Sequence, residues 1–153
     1  MNKGKNPSNQ EGLEEKFEQF IMDMDNALEA LIAFVTEAGV AGRSLLDYSF
    51  PSIDLLERIY ALVLDEKLEI SISLDLFKTR VSRYMGETLR LRVGGHWVMC
   101  KDPDDINYGL PCLTAIPGFS EQYEWCPLQV VDNFVYRRKE GLLRKATEAN
   151  VLT

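Results

Sequence analysis

SLDLFKTRVSRYMGETLRLRVGGHWVMCK, residues 73–101, reads as a long helix, a double-glycine stop and a strand. Leu74, Phe77, Val81, Tyr84, Met85 and Thr88 recur at three- and four-residue spacing, while Lys78, Arg80, Arg83, Glu87 and Arg90 fall largely on other faces. One stripe is therefore expected in a core and the other in water. Ser73 suits an N-cap, Gly94-Gly95 suits a helix stop, and Arg90 and Arg92 suit the negative end of the helix dipole. Gly86 fits this helix worst, because an interior glycine costs about 1 kcal/mol relative to alanine. Such a cost is offset where another backbone or ring packs closely, or where the gap admits a ligand.

Upstream, from Gly12 to Ala38, the residues Leu13, Phe17, Phe20, Ile21, Met24, Leu28, Leu31 and Val35 mark one helical face. Glu11, Glu14, Glu15, Glu18, Asp23, Asp25, Glu29 and Glu37 make the opposite side acidic against a lone Lys16. That surface reads either as a solvated face or as one that receives a basic partner. Gly39 and Gly42 bracket a loop, and Pro51 opens a helix carrying Leu55, Leu56, Ile59, Tyr60 and Val63, which ends near Asp65-Glu66-Lys67.

Downstream, Trp97 to Cys100 has strand character, Lys101 to Asp105 is a turn or loop, and Leu110 to Ile116 is a second strand, antiparallel to the first and stopped by Pro117-Gly118. Two strands alone are marginal, so the hairpin must lie against helices. An aromatic segment with Phe119, Tyr123 and Trp125 leads to a last helix from Pro127, carrying Leu128, Val131, Phe134 and Val135. The C-terminal part is basic through Arg137, Arg138, Lys139, Arg144 and Lys145, and the two charged poles either neutralise each other within the fold or are solvated. The expected architecture is α+β: a mostly helical single domain over 11–153, with about four helices and a small antiparallel β-hairpin, preceded by a disordered polar tail over 1–10.

A chain of 153 residues is expected to form one domain. Its net charge of −7 and pI of about 4.8 argue against a general nucleic-acid binder, which needs a positive field, and favour a basic partner if the partner is a macromolecule. No apolar run is long enough for a membrane span, and the first residues lack the apolar core of a secretory signal. Cys100, Cys112 and Cys126 are odd in number and lack Cys-x-x-Cys spacing, which reads as free thiols in a reducing cytoplasm.

The motifs of catalysis are sparse. Glu87 is the best placed acid or base, one turn from Tyr84 and beside Gly86, although a structural ion pair with Arg83, Arg90 or a distant arginine explains it equally well. His96, the one histidine, could meet Glu87 only if the chain folds back at Gly94-Gly95. Tyr48 sits in a loop from which a side chain can reach a cleft. Asp102-x-Asp104-Asp105 lacks the glycine and terminal glutamate of a calcium loop, and neither a P-loop nor a Gly-x-Ser-x-Gly turn is present. No catalytic set, metal site or cofactor is expected.

The pattern Tyr84-x-Gly86-Glu87 followed by Gly94-Gly95-x-Trp97 resembles that of a family of small bacterial proteins with no assigned activity. Leu46-Asp47-Tyr48-Ser49 and Pro127-x-x-Val130 accompany it, so the resemblance spans roughly residues 45 to 141. Some of those proteins sit beside toxin and immunity genes, which implies immunity by association. The expectation is a cytoplasmic, non-enzymatic protein-binding module, most concretely an immunity protein that neutralises a basic toxin, with Tyr48, Tyr84, Glu87, His96 and Trp97 as partner- or ligand-binding residues. The rival is a small hydrolase or ligand-binding enzyme working in a cleft of Tyr84, Glu87, His96 and Trp97; a third reading is a homodimer formed through the apolar stripe of the first helix.

Overall fold

Leu74–Arg92 forms the central helix because its N-terminus is capped and its middle is apolar enough to be surrounded. The Ser73 hydroxyl accepts the Leu76 N–H at 3.1 Å, and the helix ends one residue before the glycine pair. In the computed structural model, which describes residues 7–38 and 46–151, the element order is α1 (Pro7–Met22), α2 (Met24–Ala38), α3 (Phe50–Leu64), α4 (Leu74–Arg92), β1 (His96–Met99), β2 (Pro111–Thr114), α5 (Pro127–Arg137) and α6 (Leu142–Glu148). The α+β hairpin architecture is as expected, but the described residues hold six helices and not about four.

The two additional helices arise where long helical stretches break. The N-terminal stretch bends at Asp23, beside the point where the Arg83 guanidinium donates to the Phe20 carbonyl at 2.5 Å. A side chain that bonds into the helical ladder is a recognised cause of such a bend. The C-terminal stretch breaks where Arg138 turns left-handed at φ 51° and Gly141 at φ 83°. α1 starts at Pro7, a residue suited to a first helical turn, so 7–10 are helical and not part of the disordered tail expected over 1–10. Residues 1–6 and the loop bracketed by Gly39 and Gly42 lie outside the described residues.

α4 is packed by α2, α3, α5, α6 and β2. Its expected wet face is therefore partly dry: Arg83 and Glu87 are buried together with Phe77, Val81, Tyr84, Met85 and Leu89, Lys78, Arg80 and Arg90 are half-buried, and Leu74, assigned to the core stripe, is half exposed at 52%. The main core joins Leu31, Ile53, Leu56 and Ile59 to this helix, with the Tyr60 ring stacked on Phe77 and close to Phe134.

β1 keeps the expected length but begins one residue earlier, β2 is shorter than its apolar run, and the two pair antiparallel, His96 with Thr114 through Met99 with Pro111. β2 stops at Thr114 because Ala115 turns left-handed at φ 55°. Strand alternation separates two faces. Trp97 and Leu113 turn to the main core, while Val98, Cys100, Cys112 and Cys126 form a smaller cluster with Leu110 and Leu128. Gly95 is required at the entry to β1: its φ is +100°, and a Cβ there would lie 2.9 Å from the Thr114 carbonyl oxygen. No described helix is long and apolar enough to cross a membrane.

Gly86 is explained by close packing. A Cβ at that position would sit 2.2 Å from Cη2 and 2.4 Å from Cζ2 of Trp97, so the indole lies directly on the helix backbone. Gly86→Ala should destabilise the protein by about 1–3 kcal/mol in urea unfolding, because overpacking outweighs the gain in helix propensity. Unchanged or increased stability would show that the indole can move aside.

Candidate functional site

The Tyr84 hydroxyl is the hub of a buried chain of hydrogen bonds. Tyr84 has no exposed surface, and its oxygen accepts the Tyr48 N–H at 2.8 Å and lies 2.6 Å from Ser52 Oγ. Ser52 commits its only hydroxyl proton to the Ser49 carbonyl at 2.6 Å, so Tyr84 is the donor toward Ser52. The chain runs from the Tyr48 amide through Tyr84 and Ser52 to Ser49, at the N-cap of α3. Tyr48 stacks on Tyr84 with ring centroids 4.9 Å apart. Its backbone is left-handed at φ 61°, an uncommon state for tyrosine, and Arg92 holds it there by donating to the Tyr48 carbonyl at 2.6 Å and the Asp47 carbonyl at 3.1 Å. Hydrogen bonds from Ser49 keep the Asp47 carboxyl below the ordinary carboxylate range.

Glu87 looks the other way. Arg90 donates to both of its carboxylate oxygens, at 2.6 and 3.1 Å, and the Trp97 indole N–H donates to one of them at 3.0 Å. The ion pair raises the Arg90 pKa further. This is the arginine pairing that the sequence allowed as an alternative to acid–base chemistry. Trp97 and His96 are neighbours in one strand and so point to opposite faces. Because Trp97 turns toward α4, His96 turns away from Glu87, and its exposed side chain makes no hydrogen bond among the described residues. The five candidates thus separate into a Tyr48–Tyr84 pair, a Glu87–Trp97 pair and a solitary His96.

A cleft does exist, and of these five only Trp97 lines it. It encloses about 310 Å³ between α1, α4, the hairpin and the start of α5, with apolar walls from Phe17, Phe20, Leu110, Pro111 and Leu128 and a few polar groups from Lys16, Thr79 and Ser82. Phe20 meets the Trp97 ring edge-on at 5.1 Å. Sequence spacing marked Phe17 and Phe20 as core residues but could not indicate that an opening would remain beside them.

Glu57 escaped the sequence reading, and Arg83, read there as solvated or paired with Glu87, is buried against Phe20. Arg83 lies over the Phe20 ring at 3.9 Å, its burial lowers its pKa, and its Nε has no partner among the described residues. Glu57 receives the N–H groups of Gly141 at 2.8 Å and Leu143 at 3.0 Å, capping α6 from across the fold where Gly141 has no side chain to do so. The three cysteines are free and buried. Burial pushes the Cys100 thiol up to about 11, whereas a hydrogen bond between Cys112 and Cys126 lowers Cys126 and raises Cys112. Among the described residues, no group of three or more His, Cys, Asp or Glu side chains could hold a metal ion.

Comparison of the chain with family models, with curated proteins and with solved structures finds no match in any of the three.

Tyr84→Phe would leave the Tyr48 amide without its partner and Ser52 without its donor, so a loss of about 1–3 kcal/mol is expected in urea unfolding, with faster amide exchange at Tyr48. The buried tyrosines also set an alkaline limit. Burial pushes Tyr60 up to about 12 and raises Tyr84 as well, while unfolded tyrosine ionises near 10. The folded state therefore holds these protons more tightly, so this stabilisation is complete below pH 10 and is lost as pH rises toward about 12. Melting temperature followed against tyrosinate absorbance should fall over that interval; a flat profile would contradict it.

Proposed function

We propose that this chain is a non-enzymatic binding module of the cytoplasm that captures a basic protein, with neutralisation of a toxin as its most concrete form. One observation carries the proposal: among the described residues, the acidic face of the first two helices has no ion pair to neutralise it. Glu11, Glu14, Glu15 and Glu18 on α1 and Asp25 and Glu29 on α2 are all exposed, and none makes an ion pair among the described residues. Two of the basic residues of the C-terminal region pair with other acids. Arg138 pairs with Asp65 at 2.8 Å, and Arg144 pairs with Asp54 at 3.0 Å and with Glu148 at 2.6 Å. Uncompensated charge on one face steers an oppositely charged protein and speeds its association.

The commitment of Tyr84 and Glu87 to internal hydrogen bonds favours this reading over acid–base catalysis. The apolar cleft beside Trp97 supports a second reading, a site for a small apolar ligand. Titration of Trp97 fluorescence with apolar probes would test it, and no saturable change would remove it.

The test of the main reading is affinity capture from native lysate at low and high salt, with wild-type protein and a Glu14→Lys/Glu18→Lys/Asp25→Lys variant as baits. A basic protein should be retained at low salt and released at high salt, and the variant should retain it about tenfold less strongly. Retention that ignores both salt and charge reversal, or no retention at all, would sink the proposal.

A further inference from the structure

Among the described residues, the β-hairpin has one edge paired with another backbone segment and one edge unpaired. On the outer side of β2, Leu113 exchanges both backbone hydrogen bonds with Trp125, at 2.8 and 2.9 Å. Leu113 therefore directs its N–H and C=O away from β1, so its pairing with Trp97 is of the non-hydrogen-bonded kind. Antiparallel ladders alternate, which places His96 and Val98 in the hydrogen-bonded pairs and continues to Cys100, whose N–H reaches the Leu110 carbonyl at 2.9 Å. Trp97 and Met99 consequently aim their N–H and C=O groups at the outer edge of β1. Neither residue has a backbone partner there among the described residues.

A groove of about 320 Å³ runs along this edge, between β1 and α1. Phe17, Trp97 and Met99 line it, and Glu14 and Glu18, one helical turn apart, stand on its α1 side. Lys101 lies in the same groove just beyond the C-terminal end of β1. The groove thus offers backbone donors and acceptors with the repeat of a strand, apolar contact, and two carboxylates without an ion pair among the described residues.

We propose that the outer edge of β1 is a docking edge for an extended, basic segment of a partner protein, which adds to the hairpin as a strand between β1 and α1. Main-chain hydrogen bonds to Trp97 and Met99 provide the attachment, and lysine or arginine side chains of the segment meet Glu14 and Glu18. Lys101 repels basic side chains from the other end, which sets the register of the segment. The inference rests on the basic-partner reading above and names the surface and the conformation through which that partner is held.

The test uses the full chain and three short capped peptides: one alternating lysine and valine, the same peptide N-methylated at alternate residues, and one alternating glutamate and valine. Amide exchange by NMR and binding by titration are read together, at one salt concentration. The lysine peptide should slow exchange at the Trp97 and Met99 amides by about tenfold or more, and leave Val98 and Cys100, already bonded within the hairpin, unchanged. N-methylation keeps the charge but blocks the ladder, so it should weaken binding by about tenfold, as should Glu14→Lys/Glu18→Lys; the glutamate peptide should not bind.

Equal binding of the N-methylated peptide, or binding without protection of Trp97 and Met99, would overturn the docking edge while leaving the acidic capture reading intact. No binding of the lysine peptide overturns it as well, and lysate capture then decides the broader reading separately. Protection that grows with protein concentration without peptide, with a dimer in sedimentation, would assign the edge to a second copy and also overturn the proposal.

Discussion

The Trp97 indole lying on Gly86 is the contact on which the arrangement depends. Without a Cβ on α4 the ring reaches the helix backbone, and its N–H is then within 3.0 Å of the Glu87 carboxylate one residue further along. An aromatic ring with a satisfied polar edge is well suited to such a position. The contact fixes the hairpin, which could not hold its shape alone. It also closes a ring of contacts through the N-terminal helix: Phe20 packs edge-on against Trp97, and Arg83 returns from α4 to lie over Phe20 and bond its carbonyl. Helix, strand and helix are thereby tied within two turns of α4.

Around this ring, buried polar groups position segments that apolar packing alone would leave undefined. The Tyr84 hydroxyl links a left-handed residue in the loop before α3 to the cap of that helix. Glu57 supplies to α6 the acceptors that its own N-terminus lacks. Such groups are costly when unpaired and directional when paired, so each one selects a single approach of one element to another. Arg83 is one exception, with one guanidinium nitrogen unpartnered among the described residues and the Phe20 ring, the Phe20 carbonyl and the Met24 sulfur to offset its burial.

The same economy of partners shapes the surface. Arg138 pairs with Asp65 at the end of α3, Arg144 with Asp54 of α3 and Glu148 of α6, and Lys78 with Asp132 of α5, so these cations are matched close to where they fall. The acids of α1 receive no such match among the described residues, and Glu14 and Glu18 stand beside the unpaired edge of the hairpin, where Phe17 and Trp97 are shared with the apolar cleft. Charge, apolar surface and free backbone groups therefore meet on one side of the molecule, the combination that favours recognition of another chain.

What the sequence determined by itself was local. Periodicity and capping at Ser73 defined the central helix, the glycine pair set its stop, and the alternation after Gly95 marked a strand that had to pair and pack. The cost of glycine at 86 announced a close neighbour but not its identity, since nothing in local spacing says which ring will arrive. The tertiary structure decided that it is Trp97, and by turning that residue inward it turned His96 outward and parted it from Glu87. It also decided that Arg83 and Glu87 are buried, because the elements that wrap α4 come from distant parts of the chain and cover a face that amphipathic spacing assigns to water. Helical breaks at Asp23 and after Arg137 were equally illegible, as they depend on a side chain reaching from α4 and on left-handed backbone turns rather than on any interruption of the apolar pattern.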